Sequence, residues 1–385
     1  MSLTFIFLLL QLLIGIHFIF PVLLFVLSSI RKEKQFSEAP EHEVDYAIII
    51  TAFEQTELVP SAVESVLNMN YSNYLVYVVA DNCDISNLNF LDPRIFVLKP
   101  DEVLASNVKS HLYAIENFRR AHKRITIIDS DNLVESEYLK ELNCFFDNGF
   151  SAVQGVRRAK KLNSQYACLD EAGDMYYRFV DRRLLFLAGS SSSLAGSGMA
   201  FSTDLYVSCL TNCNISGAGF DKVLQFEILK SGHRIAFAEK AIVFDEKTSQ
   251  SGQLVKQRAR WINSWFRFSV LGVNLLIKGF SKFERNSILF SLMLLRPPLF
   301  ILFTVSIILS VLNLIFLPAA ILIWICSALI FAATFFIALC HFRASKLIYN
   351  ALWSYPKFFY FQIVALTKAK IANQISVATK HEVNS

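Results

Sequence analysis

The chain has 385 residues, 54% of them hydrophobic and 18% charged, with a formal net charge of +5. That composition is too apolar for a wholly soluble protein, and the apolar excess is gathered at the two ends. The charge is too mild for bulk nucleic-acid binding, for which no motif is present; it suits an anionic membrane surface and anionic nucleotides.

Residues 3–30 carry no charged side chain and are long enough to cross a hydrocarbon core of about 30 Å. They lack a basic n-region and a small-residue cleavage site, so they read as a retained anchor. His17 and Pro21 fall inside, and Pro is tolerated in membrane helices. Arg31-Lys32-Glu33-Lys34 follows at once and places the downstream side in the cytoplasm.

Residues 41–250 alternate between apolar β-type runs and helical stretches, the pattern of βαβ units and of an α/β domain. The spacing predicts strands over 46–52, 74–80, 94–98 and 125–129, with helices over 57–69 and 106–121. Residues 189–193, Gly followed by four Ser, read as a mobile loop. The seven cysteines are scattered without Cys-x-x-Cys spacing, so they are expected as reduced cytosolic thiols.

Residues 251–285 predict amphipathic interfacial helices, the first over 253–277 with Lys256, Arg258, Arg260 and Arg267 beside Trp261, Trp265 and Phe266. Between 297 and 340 no residue is charged, and Leu317-Pro318 divides the stretch into spans over 299–316 and 319–340. The basic residues Arg343 and Lys346 agree with a cytosolic return. The segment 347–370, with its helix over 353–368, is expected on the inner membrane face. The expected arrangement is an outside N-terminus, three spans, and a cytosolic domain and C-terminus.

The most informative stretch is Ile125–Asn132, an apolar strand that ends in Asp129-Ser130-Asp131-Asn132. In open α/β sheets ligands sit beyond the carboxyl ends of the strands. Two carboxylates one residue apart there repel unless a cation lies between them. Mg²⁺ or Mn²⁺ suits hard oxygen ligands, completed by phosphate oxygens and water. The strand over 74–80 ends likewise in Asp81. Asp81 could accept hydrogen bonds from a uracil or ribose, with Thr51 nearby; a plain polar turn is the alternative. Neither a Gly-x-x-x-x-Gly-Lys-Ser/Thr loop nor a Gly-x-Gly-x-x-Gly fingerprint is present.

In order and spacing, these elements together with Asn107-Val108-Lys109, Val153-Gln154-Gly155, Gly196-Ser197-Gly198, Asp221 and Gln257–Trp261 resemble a family 2 inverting glycosyltransferase. The similar members are of the membrane-integrated, processive type: the cellulose, chitin and hyaluronan synthases. The resemblance implies a GT-A-type nucleotide-sugar-binding domain, a Rossmann-like mixed sheet, joined to transmembrane helices. It implies a nucleotide contact for Asp81 and metal binding by Asp129 and Asp131. It also implies a general base at Asp221, although Phe220 stands where the motif has glutamate. Glu227 reads as part of a solvated helix face.

The Gln-x-x-Arg-Trp motif, here Gln257, Arg260 and Trp261, implies an acceptor contact for the indole and an arginine near the diphosphate. Arg258 and Arg260 are both candidates, since guanidinium pairs bidentately with phosphate. Lys109 either touches the diphosphate or is a solvated helix lysine. Gly196, Ser197 and Gly198 either let the backbone approach the acceptor or form a flexible turn. Asp245-Glu246-Lys247 resembles a family segment near the site, without an assigned role. The expected partners are a nucleotide-sugar donor such as a UDP-sugar, a carbohydrate or lipid acceptor, and a membrane, a bacterial inner membrane with an endomembrane as the alternative. Three spans are few for a lone polysaccharide channel, which leaves room for a homo-oligomer or an accessory export subunit. Ceramide glucosyltransferases look similar and make single-sugar transfer to a lipid the alternative, with a catalytically silent scaffold as a third reading.

Overall fold

The computed structural model describes residues 3–31, 42–213, 215 and 218–372. Lys32, Glu33 and Lys34 of the basic cluster, and Glu41 at the expected domain start, lie outside the described residues. Among the described residues, eight strands form one mixed sheet in the order β3-β2-β1-β4-β7-β6-β8-β5. They are β1 (Tyr46–Phe53), β2 (Tyr74–Asp81), β3 (Ile95–Leu98), β4 (Arg124–Asp129), β5 (Leu133–Val134), β6 (Ala152–Ala159), β7 (Met199–Ser202) and β8 (Ile235–Asp245). The β3-β2-β1-β4 half is parallel, and β7 runs antiparallel between β4 and β6.

Strands β1, β2 and β4 are near-continuous apolar runs because both faces of the sheet are covered. Alternate side chains divide between two cores, as the two-residue period requires. Ile48, Ile50, Val76, Val78 and Ile128 pack under helices Val59–Leu67 and Tyr138–Asp147. Ala47, Ile49, Tyr77, Val79 and Ile127 share the other core with Phe20 and Leu24 of helix Leu3–Ile30 and with Leu289 and Phe290. One sheet face is thus turned toward the apolar ends of the chain.

Among the described residues, three helices are long and apolar enough to cross a membrane: Phe5–Ile30, Leu299–Phe316 and Ala320–His341. They agree with the expected spans to within a residue or two at each end. Phe18 meets Phe303, Trp324 and Phe331 edge-on. The Gln11 carbonyl accepts from Asn313 Nδ2 at 2.7 Å and Trp324 Nε1 at 3.0 Å, tying all three helices together. The amphipathic helix is longer than its apolar pattern, Ser251–Lys282. Helix Arg285–Leu295 folds back on it, where a Cβ on Gly272 or Gly279 would meet Leu295 or Ile288 at 3.0 Å or less. The C-terminal helix begins at Tyr355 after a 3₁₀ turn, Leu352–Ser354, and ends at Lys368.

Two expectations are corrected. The helix expected over 106–121 stops at Glu116, because Phe118 packs on the Tyr77 ring at 4.7 Å and the Arg119 amide donates to the Tyr77 hydroxyl at 2.9 Å. Residues 189–193 are not a mobile loop. Ser190, Ser191 and Ser192 are fully buried; Ser190 and Ser191 donate to Asn286 Oδ1, and the Ser192 amide donates to the Ile235 carbonyl at 2.8 Å.

Candidate active site

The register settles where the acids lie. Thr51 of β1 pairs with Asp129 of β4, and Phe53 pairs with Asp81 of β2. Both acids therefore stand at the carboxyl edge of the parallel half, with Thr51 between their strands. Asp129 ends β4 and Ser130 and Asp131 form the turn that follows, all three half-buried. Asn132 Nδ2 donates to Asp131 Oδ1 at 3.0 Å.

That turn is braced from within by Ser197. Its hydroxyl is fully buried, accepts from the Asp129 amide at 3.0 Å and donates to Asn132 Oδ1 at 2.6 Å. The Ser197 hydroxyl is thus turned inward, and the expected acceptor approach of this segment concerns its backbone. Gly198, at φ +65°, donates its amide to the Ile127 carbonyl at 2.9 Å, and a Cβ there would lie 2.9 Å from Val243. Gly196 has φ +85° and open space beside it. Gln154, quoted above only as part of a motif, fixes this segment: it donates to the carbonyls of Ser197 and Gly198 and accepts from the Ala195 amide at 2.8 Å.

Asp81 is buried, and its two carboxylate oxygens accept from the amides of Leu104 and Ala105 at 2.9 and 2.8 Å. It holds the loop that leads into helix Asn107–Glu116, on whose first turn Lys109 stands exposed. Asp221 lies in the first turn of helix Phe220–Lys230, its side chain 20% exposed and 3.5 Å from Lys222 Nζ. The preceding Gly219 has φ +101°, and a Cβ there would sit 2.6 Å from the Phe268 ring. One turn after Asp221, Gln225 Oε1 accepts from the Leu194 amide at 3.1 Å. The helix is thereby docked on the same segment that braces Asp129. Phe220 packs against the buried His111 ring at 5.4 Å, so an apolar contact replaces the missing glutamate. Glu227 is not solvated; it is largely covered and pairs with Lys230 at 3.2 Å.

The arginine helix differs from expectation in one respect. Arg258 is buried, ion-paired with Asp170, and stacked over the Trp261 ring at 4.1 Å. It therefore acts on the indole and the helix it faces. Arg260 is half-buried, and burial pulls its guanidinium below the ordinary value. Trp261 is 44% exposed. Gln257 Oε1 accepts from Thr248 Oγ1 at 3.2 Å.

Behind the site lies a buried charge network that sequence reading left unassigned. Lys247 Nζ is 3.3 Å from Glu171 and from Asp245 and is hydrogen-bonded to Asp174. Arg157 donates to Asp245 Oδ2 at 2.7 Å, and Arg178 to Glu171 at 3.1 Å. Burial pulls the Arg157 guanidinium down, but Asp245, Asp129, Asp174 and Asp131 more than offset it, so its pKa is raised. Arg157 thus lies in the field of the Asp129/Asp131 pair. The signal for this network was the run of Asp170, Glu171, Asp174, Arg178 and Arg182 at helical spacing in an otherwise apolar stretch.

Among the described residues no group of three or more His, Cys, Asp or Glu could hold a metal ion. The Asp129/Asp131 donor set still fits Mg²⁺ or Mn²⁺. Its half-buried hard oxygens supply two side chains, and these ions normally take their remaining ligands from phosphate and water.

Residues 42–264 match the family described as Glycosyltransferase like family 2. An N-acetylglucosaminyltransferase of Rhizobium sp. (strain N33) is 26% identical over 250 residues, 60% of this chain and 54% of the relative, so the chain spans about half the length of that curated relative. Among solved structures, the mannosyltransferase PcManGT of Pyrobaculum calidifontis, in complex with GDP-Man and Mn²⁺, superposes with a TM-score of 0.58 at 14% identity, covering 93% of this chain and 97% of that one. This likeness is one of fold, a GT-A-type sheet. TarS 1-349 of S. aureus in complex with UDP-GlcNAc, at a TM-score of 0.41, 13% identity, and 60% and 67% coverage, is too distant to carry an argument. The sheet order and the match over most of the sheet domain agree: the chain belongs to glycosyltransferase like family 2.

Proposed function

We propose that the chain transfers a sugar, with inversion, from a nucleotide-sugar such as a UDP-sugar to a carbohydrate or polysaccharide acceptor at the cytosolic face of a membrane. One observation carries this reading: a single braced segment, 194–198, holds both the Asp129 turn and the helix that carries Asp221 in its first turn. Asp221 takes the proton of the acceptor hydroxyl as its oxygen attacks C1 of the sugar. The C1–oxygen bond to the diphosphate breaks, and the electron pair leaves with the nucleotide. Mg²⁺ or Mn²⁺ held by Asp129 and Asp131 supplies Lewis-acid stabilisation of that leaving group when bound. Arg260 and Lys109 carry further charge on the diphosphate, Thr51 and Asp81 border the nucleoside, and Trp261 receives the acceptor.

A second reading, single-sugar transfer to a lipid, is favoured by the exposed Phe266, Val270, Val273 and Ile277 on the same helix as Trp261. An acceptor with an apolar tail would find a surface there. Product size on a gel after incubation with labelled donor separates the two. The catalytic assignment itself is tested with Asp131→Ala and Asp221→Asn. Each is expected to lose at least about 100-fold in turnover while still inserting and folding. Wild-type turnover in either variant refutes it.

A further inference from the structure

The helix Leu3–Ile30 ends one residue before Arg31, and this side chain turns onto the sheet domain. A Cβ built on Gly189 would clash with Arg31 Nη1 and lie 3.5 Å from Arg285 Cδ. Gly189, at φ +91°, is therefore needed both for its backbone conformation and for the space above it. Arg234 reaches the same backbone, donating from Nε and Nη2 to the Ser190 carbonyl at 3.0 and 2.5 Å and from Nη2 to the Phe186 carbonyl at 3.1 Å.

Three arginines from distant parts of the chain thus converge on two consecutive residues. Among the described residues no carboxylate lies within ion-pair distance of any of them. Glu284, beside Arg285, is held by Lys278 at 3.5 Å and by the Ser287 hydroxyl at 2.9 Å. Burial, and then the Arg31 charge, bring the Arg234 guanidinium down to about 10. Like charges gathered in this way destabilise one another unless an anion joins them. Arg31 and Arg285 are exposed, so such an anion has access.

We propose that Arg31, Arg234 and Arg285 form a binding site for the phosphate of an anionic membrane-lipid headgroup. Planar guanidinium groups match phosphate geometry, and residues just past the end of a span lie at the headgroup level. Arg234 is pre-positioned by its two carbonyl contacts, and Arg31 and Arg285 close over the ligand. The site pins the first span and the sheet domain to one lipid. It rests on reading Phe5–Ile30 as a membrane span and is independent of the transfer activity.

The test uses the full chain reconstituted in phosphatidylcholine vesicles with phosphatidylglycerol as the minor component, then native mass spectrometry of retained lipid. Wild type is expected to retain phosphatidylglycerol preferentially. Arg31→Gln/Arg285→Gln is expected to weaken retention about fivefold per arginine with an unchanged thermal melt, since no hydrogen bond of either side chain is lost. Arg31→Lys/Arg285→Lys, which keeps the charge, is expected to recover most of the retention. Equal retention in wild type and the glutamine variant overturns the site, and so does displacement of the lipid by millimolar inorganic phosphate, which would make it a site for free phosphate.

Discussion

Ser197 stands directly behind Asp129, 68 residues apart in sequence, with its buried hydroxyl 3.0 Å from the Asp129 amide and 2.6 Å from Asn132 Oδ1. The hydroxyl is both acceptor and donor, so it locks the turn that carries Asp129 and Asp131, the acids proposed to hold the metal. Ser197→Ala leaves a buried amide without its partner, a cost of about 1–3 kcal/mol. Supporting groups behind metal ligands typically govern 10- to 100-fold in metal affinity. The expected outcome is a folded protein whose turnover needs at least about tenfold more Mn²⁺. Titrating turnover against Mn²⁺ checks this, and an unchanged midpoint contradicts it.

The Arg258–Asp170 pair predicts a separation between stability and turnover. Removing one member of a buried ion pair costs about 3–5 kcal/mol, because the other charge is left in a low dielectric. Arg258→Met is expected to lower the melting temperature sharply. Replacing both groups with apolar residues, Asp170→Leu/Arg258→Met, is expected to restore most of the stability. Turnover should stay low in the double variant, since the indole of Trp261 has lost the guanidinium stacked on it at 4.1 Å. Thermal melts and initial rates on the same preparations decide the matter; full recovery of both would leave Arg258 a packing role only.

The pH dependence of stability should carry a mark of His111. Its Nδ1 lies 2.7 Å from the Tyr206 hydroxyl, and burial holds its pKa down to about 3. The unfolded chain takes up this proton near pH 6.5 and the folded chain does not, so protonation favours unfolding. The contribution is fully present above about pH 6.5 and is lost as pH falls toward 3, with a slope of at most about 1.4 kcal/mol per pH unit. His111→Gln is expected to flatten the acid limb of melting temperature against pH. Identical acid limbs in variant and wild type would show that His111 does not set it.

Much of the architecture could be read along the chain. The three long apolar helices are visible because length and apolar composition are local properties, and the observed helices depart from the expected ranges by a residue or two at each end. Strand β4 is legible because the β-branched run Ile-Thr-Ile-Ile ends in Asp129. The Gly-Ser-Ser-Ser-Ser run misled, because serines read as solvated until Asn286, some 95 residues on, is seen to take two of their hydroxyls. Arg258 misled in the same way: a guanidinium beside a tryptophan looks available for phosphate until Asp170 is found against it.

The sequence alone determined the α/β plan, the three long apolar helices and the strand-end acids, because hydrophobic runs and their periods are written within a few residues of one another. Only the folded chain decided which side chains face the cleft and which brace it from behind. Ser197 turned inward, Gln225 joined the Asp221 helix to the Asp129 turn, and Asp245 and Lys247 became the centre of a charge network. Those roles depend on which donor meets which acceptor across distant segments, and a buried polar group takes its meaning from the partner that satisfies it.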